Sequence, residues 1–158
     1  MSRDPKRVRN GSAQNGSRPS LSVVHQRPLR LAAIHTMDAG EKITLIRNGV
    51  SKDDLMEIKD QSGLDYDTLS TILAVSRATL INKKGGEKFD TPTSERILLL
   101  ADTLAYGHSV FEDKERFNAW MKNGNKALGD KTPIEWMDTL YGIQEVKKLI
   151  GRIEYGVF

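Results

Sequence analysis

The sequence predicts an all-α protein, a helix-turn-helix unit followed by a small helical domain, with a disordered basic tail in front. Three observations carry this. Apolar residues recur every three or four positions through the stretches between Ser51 and Val157, the spacing of a single helical face. Helix-starting residues such as Ser51 and Thr132 stand at the heads of those stretches, where a side-chain oxygen satisfies an orphan amide. The first 30 residues are rich in Ser, Asn, Gly and Pro. They set seven basic residues (Arg3, Lys6, Arg7, Arg9, Arg18, Arg27 and Arg30) against Asp4 alone, a net +6, a composition too poor in apolar surface to offset the entropy of ordering.

With 158 residues and 38% hydrophobic content, the chain has room for one or two small cores. The boundaries read from these signals are a tail over 1–37, a helix-turn-helix domain over 38–90 and a second helical domain over 91–158. The whole chain is +3, so the part after the tail is net negative and the basic isoelectric point belongs to the tail. Such an arm either holds nucleic acid or serves only solubility, and composition leaves both readings open. Absence of cysteine excludes disulfides and thiolate metal sites. No apolar run approaches 18 residues and no signal peptide is visible, so a cytoplasmic protein without membrane attachment is expected.

Ser51 is placed to cap a helix through Gln61, with Leu55, Ile58 and Met56 inward and Ser62-Gly63 ending it. Two short helices follow, Asp65 to Leu73 and Ser76 to Lys84, joined by the Ala74-Val75 turn, the proportions of a helix-turn-helix. Leu69, Leu73, Val75 and Leu80 form its predicted core, and Ser70 and Ala74 are small where the helices approach. Thr91-Pro92 opens a run in which Ile97, Leu100, Leu104 and Phe111 share a face, the expected central helix. His108 lies on that face and reads as a hydrogen-bonded core or interface histidine, since no second ligand stands at metal spacing. Asp113 caps a helix to Lys122 packed through Phe117 and Trp120, and Thr132-Pro133 with Glu135 makes a capping box. From Thr139, Ile143, Val146, Ile150, Ile153 and Val157 fall on one face. Tyr141, Glu145, Lys148, Arg152 and Tyr155 fall on the other, which is either a solvated face or a partner surface.

If the helix pair reads DNA, Ser76, Arg77 and Thr79 open the recognition helix. Arg77 suits guanine, because its guanidinium donates two parallel hydrogen bonds to O6 and N7. Thr79 or Asn82 would add base or phosphate contacts, and Lys83, Lys84 and Lys88 would hold phosphates. On the plainer reading these cations only stabilise a helix C-terminus. Reading inverted half-sites implies a homodimer. An enzyme is not expected: His25, His35 and His108 have no nucleophile or metal partners at useful spacing. Glu145 and Glu154 stand about 13 Å apart by helical rise, too far for a shared carboxylate site. No catalytic residue, metal or cofactor is assigned.

The segment Asn125-Lys126-Ala127-Leu128-Gly129-Asp130-Lys131-Thr132-Pro133, then Glu135-Trp136-Met137-Asp138-Thr139, Gly142, Glu145-Val146, Leu149 and the final Gly151-Arg152-Ile153-Glu154-Tyr155-Gly156-Val157-Phe158 resembles the toxin-binding domain of the Xre/MbcA/ParS antitoxin family. The resemblance covers residues 90–158 closely, and residues 40–90 more loosely through the family's Xre-like helix-turn-helix. It implies an antitoxin of a type II toxin-antitoxin system that represses its own operon by binding operator DNA. By the same resemblance the partner is a RES-domain toxin, a class that consumes NAD or transfers ADP-ribose, captured in a hetero-oligomer. Tyr141, Glu145, Lys148, Arg152, Glu154, Tyr155, Gly156, Val157 and Phe158 would form the toxin-binding surface, with Phe158 as an apolar anchor covering the toxin's nucleotide pocket. The competing reading is a helix-turn-helix transcriptional regulator with no toxin partner.

Overall fold

The computed structural model of the chain describes residues 29–157. The helices run α1 (Leu31–Thr36), α2 (Ala39–Asn48), α3 (Lys52–Ser62), α4 (Tyr66–Leu73), α5 (Arg77–Asn82), α6 (Thr91–Phe111), α7 (Lys114–Lys122), α8 (Pro133–Trp136) and α9 (Leu140–Glu154). Among the described residues there is no strand, only an isolated antiparallel bridge between Ser51 and Lys88.

The helix starts follow the side-chain chemistry. Ser51 and Asp54 close a reciprocal capping box on α3, as do Asp38 with Glu41 on α2 and Thr132 with Glu135 on α8. Asp113 takes the Glu115 and Arg116 amides at the head of α7. At α6 the cap is Asp90, whose carboxylate accepts from the Thr93 amide, so that Thr91 and Pro92 occupy the first two helical positions. Pro92 loses nothing there, because the amides of a first turn have no intrahelical partner.

Helix α6 is the axle of the protein. Leu100, Ala101, Asp102, Thr103, Leu104 and Ala105 are all buried, and consecutive buried residues around a helix mean that it is covered on every side. Helices α1, α2, α4, α7 and α9 pack against it. One continuous core results, running from Leu31 and Ile34 through Leu69, Leu73 and Leu80 to Ile143, Val146 and Ile150. Full burial of each such side chain contributes about 1.5–3 kcal/mol. Ser94 fastens α6 to the helix-turn-helix by accepting from the Val50 amide at 2.9 Å and donating to the Phe89 carbonyl.

Two expectations are corrected here. The tail was predicted to run to residue 37, yet residues 31–36 form α1 and bury Leu31 and Ile34 against α6, and the Leu29 amide donates to Asp54 at 2.8 Å. Apolar contact orders a segment too short to be helical alone. Residues 1–28, with the expected tail and His25, lie outside the described residues. The second correction concerns Val157, predicted on the buried face of the last helix. That helix ends at Glu154 and Gly156 takes a left-handed φ of 63°, so the periodicity stops and Val157 is 59% exposed.

The turn between α4 and α5 also differs in detail. Ala74 is exposed rather than wedged between helices, and it holds a left-handed φ of 54°. From that position it ends α4, with its own amide on Ser70 and Thr71 carbonyls and the Val75 amide on Ser70, the six-to-one closure of a helix C-terminus.

Candidate functional site

The first surface is α5. Leu80 is buried between α4 and the rest of the helix-turn-helix, while Ser76, Arg77, Ala78, Thr79, Ile81 and Asn82 are exposed. Ser76 caps the helix through the Thr79 amide and shares a 2.8 Å hydrogen bond with the Thr79 hydroxyl, so both predicted contact residues are held locally. Arg77 lies 3.3 Å from Asp67 of α4, with both side chains more than half exposed. An exposed pair of this kind is worth at most about 1 kcal/mol, so Asp67 holds the guanidinium only weakly. Lys84 is exposed beside Gly85-Gly86. Lys83 is half-buried with its ammonium over the Phe89 ring, and Lys88 donates to the Asn48 carbonyl. Both are therefore engaged away from the outer face of α5.

Behind α5 sits Lys52, which the sequence reading passed over. It is buried, its ammonium over the Tyr66 ring, and it donates to the Tyr66 hydroxyl at 3.1 Å and to the Leu80 carbonyl. A cation on a helix carbonyl near its C-terminus is favourable, and here it ties α3, α4 and α5 into one unit. The backbone adds to this, with the Lys52 and Asp53 amides on the Glu87 and Gly85 carbonyls.

The second surface is the outer face of α9. Thr139 caps it by accepting from the Gly142 amide, and Gly142, Ile143, Val146, Leu149 and Ile150 face inward. Opposite them Tyr141 and Tyr155 are 68% and 78% exposed, Lys148 and Arg152 are exposed, and Glu145 is half-buried between neighbours. Lys148 pairs with Glu145 at 2.7 Å and lies 5.9 Å from the Tyr141 ring centre. The Lys148 hydrogen bond and charge hold the Glu145 carboxyl below its usual value. Gly156 and Val157 continue the exposed end, whereas Phe158 lies outside the described residues. Glu154, predicted within this surface, turns toward α6 and accepts from the Tyr106 hydroxyl.

Asp102 joins the two halves. Its nearly buried carboxylate meets Lys42 of α2 at 3.0 Å and Lys147 of α9 on its other oxygen. Burial pushes this carboxyl up, and the hydrogen bonds and charges of Lys147 and Lys42 outweigh it, leaving the group below its ordinary value. Arg96 acts in parallel, donating to the Ile72 carbonyl at the end of α4 and to the Asp138 carbonyl before α9.

The two described histidines have structural partners. His108 shares a 3.3 Å hydrogen bond with Asn118 and meets Phe117 edge-on, and burial lowers its pKa. His35 stacks on Tyr106 with ring centres 5.4 Å apart. Among the described residues, no group of three or more His, Cys, Asp or Glu could hold a metal, and no helix is long and apolar enough to cross a membrane.

Fold and surfaces together define a helix-turn-helix protein with a second helical domain that displays an exposed aromatic and charged helix. Residues 41–102 match the antitoxin Xre-like helix-turn-helix domain, and residues 107–156 match the antitoxin Xre/MbcA/ParS C-terminal toxin-binding domain. The chain belongs to this antitoxin family: it is an Xre-family antitoxin with a helix-turn-helix and a toxin-binding domain. It is similar to the Prs ADP-ribosylating antitoxin of Sphingobium sp. (strain YBL2), at 26% identity over 83% of this chain and 89% of that protein. An Xre antitoxin of Photorhabdus laumondii is 36% identical over 46% of this chain and 50% of its own length. Another, from Yersinia enterocolitica, is 33% identical over 52% and 57%. The chain thus spans little more than half the length of these two Xre antitoxins.

Proposed function

We propose that this antitoxin neutralises a RES-domain toxin, one that consumes NAD or transfers ADP-ribose, by laying the outer face and end of α9 over its active site. We propose further that it represses its own operon through α5 as a homodimer. The observation that carries the toxin reading is the two-sided build of α9. Its inner face is sealed into the core, while Tyr141, Lys148, Arg152 and Tyr155 stand in solvent within the matched toxin-binding domain, and Val157 stands in solvent just beyond it. Exposed tyrosines beside arginine are the composition of interface anchors. The name of the Sphingobium relative, with its reference to ADP-ribosylation, supports the toxin class.

Co-expression with the neighbouring reading frame tests this directly, the expected result being a stable complex with a RES-domain protein. Arg152→Glu, or removal of Val157 and Phe158, is expected to abolish growth rescue while leaving operator binding intact, since the side chains changed lie outside the α5 surface. Loss of an anchor at the centre of an interface typically costs about 2 kcal/mol or more. A truncated chain that still rescues growth would move the interface to the Tyr141, Glu145 and Lys148 part of the face.

For DNA, Arg77→Ala is expected to cost about 1–3 kcal/mol on operator and to relax base preference, whereas Lys84→Ala weakens all sequences alike and lowers the salt slope by about one charge. Titration on operator and random duplexes at several salt concentrations reads both. Equal losses on the two duplexes for Arg77→Ala would reduce Arg77 to a phosphate contact.

A further inference from the structure

We propose that Tyr106 and His35 form a brace that holds the last turn of α9 in its partner-binding shape, so that α1 and α6 belong functionally to the toxin-binding end. Tyr106 is a positioning residue in this scheme. Its phenol crosses from α6 to donate to the Glu154 carboxylate, 48 positions further along the chain. Gly151 clears the way: a Cβ there would stand 3.3 Å from the phenol oxygen. Glycine inside a helix is otherwise unfavourable, and at this position it permits the crossing. On the other side the exposed His35 of α1 stacks on the Tyr106 ring at 5.4 Å and 13°. The hydrogen bond to Glu154 pushes the phenol up to about 12, so the donor keeps its proton at any pH the protein meets in a cell.

What the brace steadies is the surface expected to meet the toxin. The turn beyond Glu154 rests on three backbone bonds: Tyr155 to the Gly151 carbonyl at 3.1 Å, Gly156 to Ile153 at 3.2 Å and Val157 to Arg152 at 2.8 Å. All three donor residues are exposed, and helix ends of this kind fray by default. Anchoring Glu154 from the side fixes the residue from which Tyr155, Gly156 and Val157 project. A surface ordered before contact binds more tightly than one that must be ordered during it.

This inference rests on the toxin reading above, and the test separates the two. Amide hydrogen exchange on the full chain, with Tyr106→Phe, removes the hydroxyl alone and keeps the ring under His35. Exchange at Tyr155, Gly156 and Val157 is expected to rise about tenfold while core amides stay protected. Affinity for the toxin co-purified from the neighbouring reading frame is expected to fall about tenfold with operator binding unchanged. Glu154→Gln, which keeps an acceptor for the phenol, should leave exchange at these three amides near wild type. His35→Ala, a surface change that cannot unfold the core, should show a smaller loss in the same direction. Unchanged exchange in Tyr106→Phe overturns the brace whatever the partner proves to be. Faster exchange with unchanged toxin affinity overturns its role in binding, and no effect of His35→Ala removes α1 from it. Failure of the wild-type chain to capture a toxin overturns the toxin reading, and the exchange result still decides the brace.

Discussion

Gly142→Ala is expected to lower the melting temperature by roughly 6–12 °C, the largest loss among glycine-to-alanine changes at the described glycines. A Cβ at this position would lie 1.6 Å from the Trp136 carbonyl oxygen and 2.7 Å from its carbon. The obstacle is backbone, so no rotamer change relieves it, and α8 and α9 must move apart. Over-packing of this kind costs about 3 kcal/mol or more, and the better helix propensity of alanine returns only about 1 kcal/mol. Toxin capture should weaken as well, because α9 starts at this contact. Gly86, whose Cβ would meet nothing within 4 Å, is the matched control and should be near neutral. A melting temperature for Gly142→Ala equal to that of Gly86→Ala would show that the α8–α9 junction is loose.

Gly107→Ala is the second large effect. The added Cβ would stand 2.1 Å from two ring carbons of Phe117, and that ring is fully buried among His108, Phe111 and Trp120. Crowded on three sides, it cannot turn away, and a loss of about 2–3 kcal/mol is expected by chemical denaturation. The diagnostic outcome is non-additivity. Phe117→Leu alone should destabilise by vacating space between α6 and α7, yet in combination with Gly107→Ala the smaller side chain should relieve the clash. The double variant should then be more stable than the sum of the single losses predicts, by about 1 kcal/mol or more. Strict additivity would mean that the two residues do not share the contact.

Local chemistry made much of this fold readable. Ser51, Asp113 and Thr132 cap where their sequence context places them, because a cap depends on residues three positions away. The inward set Leu69, Leu73 and Leu80 and the central helix through Ile97, Leu100 and Leu104 follow from periodicity alone. Failures cluster where order comes from distant residues. Helix α1 is too short to announce itself, although Asp38 and Glu41 at capping-box spacing signalled a helix start right after it. Val157 was misplaced because a period of 3.6 residues carries no information about where the helix stops, and Gly156 was the readable stop. On the α9 surface, Tyr141, Lys148, Arg152 and Tyr155 share the exposed face their spacing predicts. The Tyr106 to Glu154 contact spans 48 positions and the Asp102 pairs span 60 and 45, separations over which no local pattern exists. Lys52 reads in the sequence as a first-turn cation on α3, and only the folding of α4 and α5 over it turns it into an internal tie.

The two family matches meet inside α6, one ending at residue 102 and the other beginning at 107. One continuous helix across that seam makes the relation between the α5 and α9 surfaces a matter of helical phase. One residue inserted between Asp102 and Gly107 would swing everything after it by about 100° and advance it by about 1.5 Å. Exchanging toxin-binding ends between relatives therefore requires a splice in register within this helix. A graft that keeps both sequences intact but miscounts by one would point α9 away from Asp102, the carboxylate that holds its Lys147.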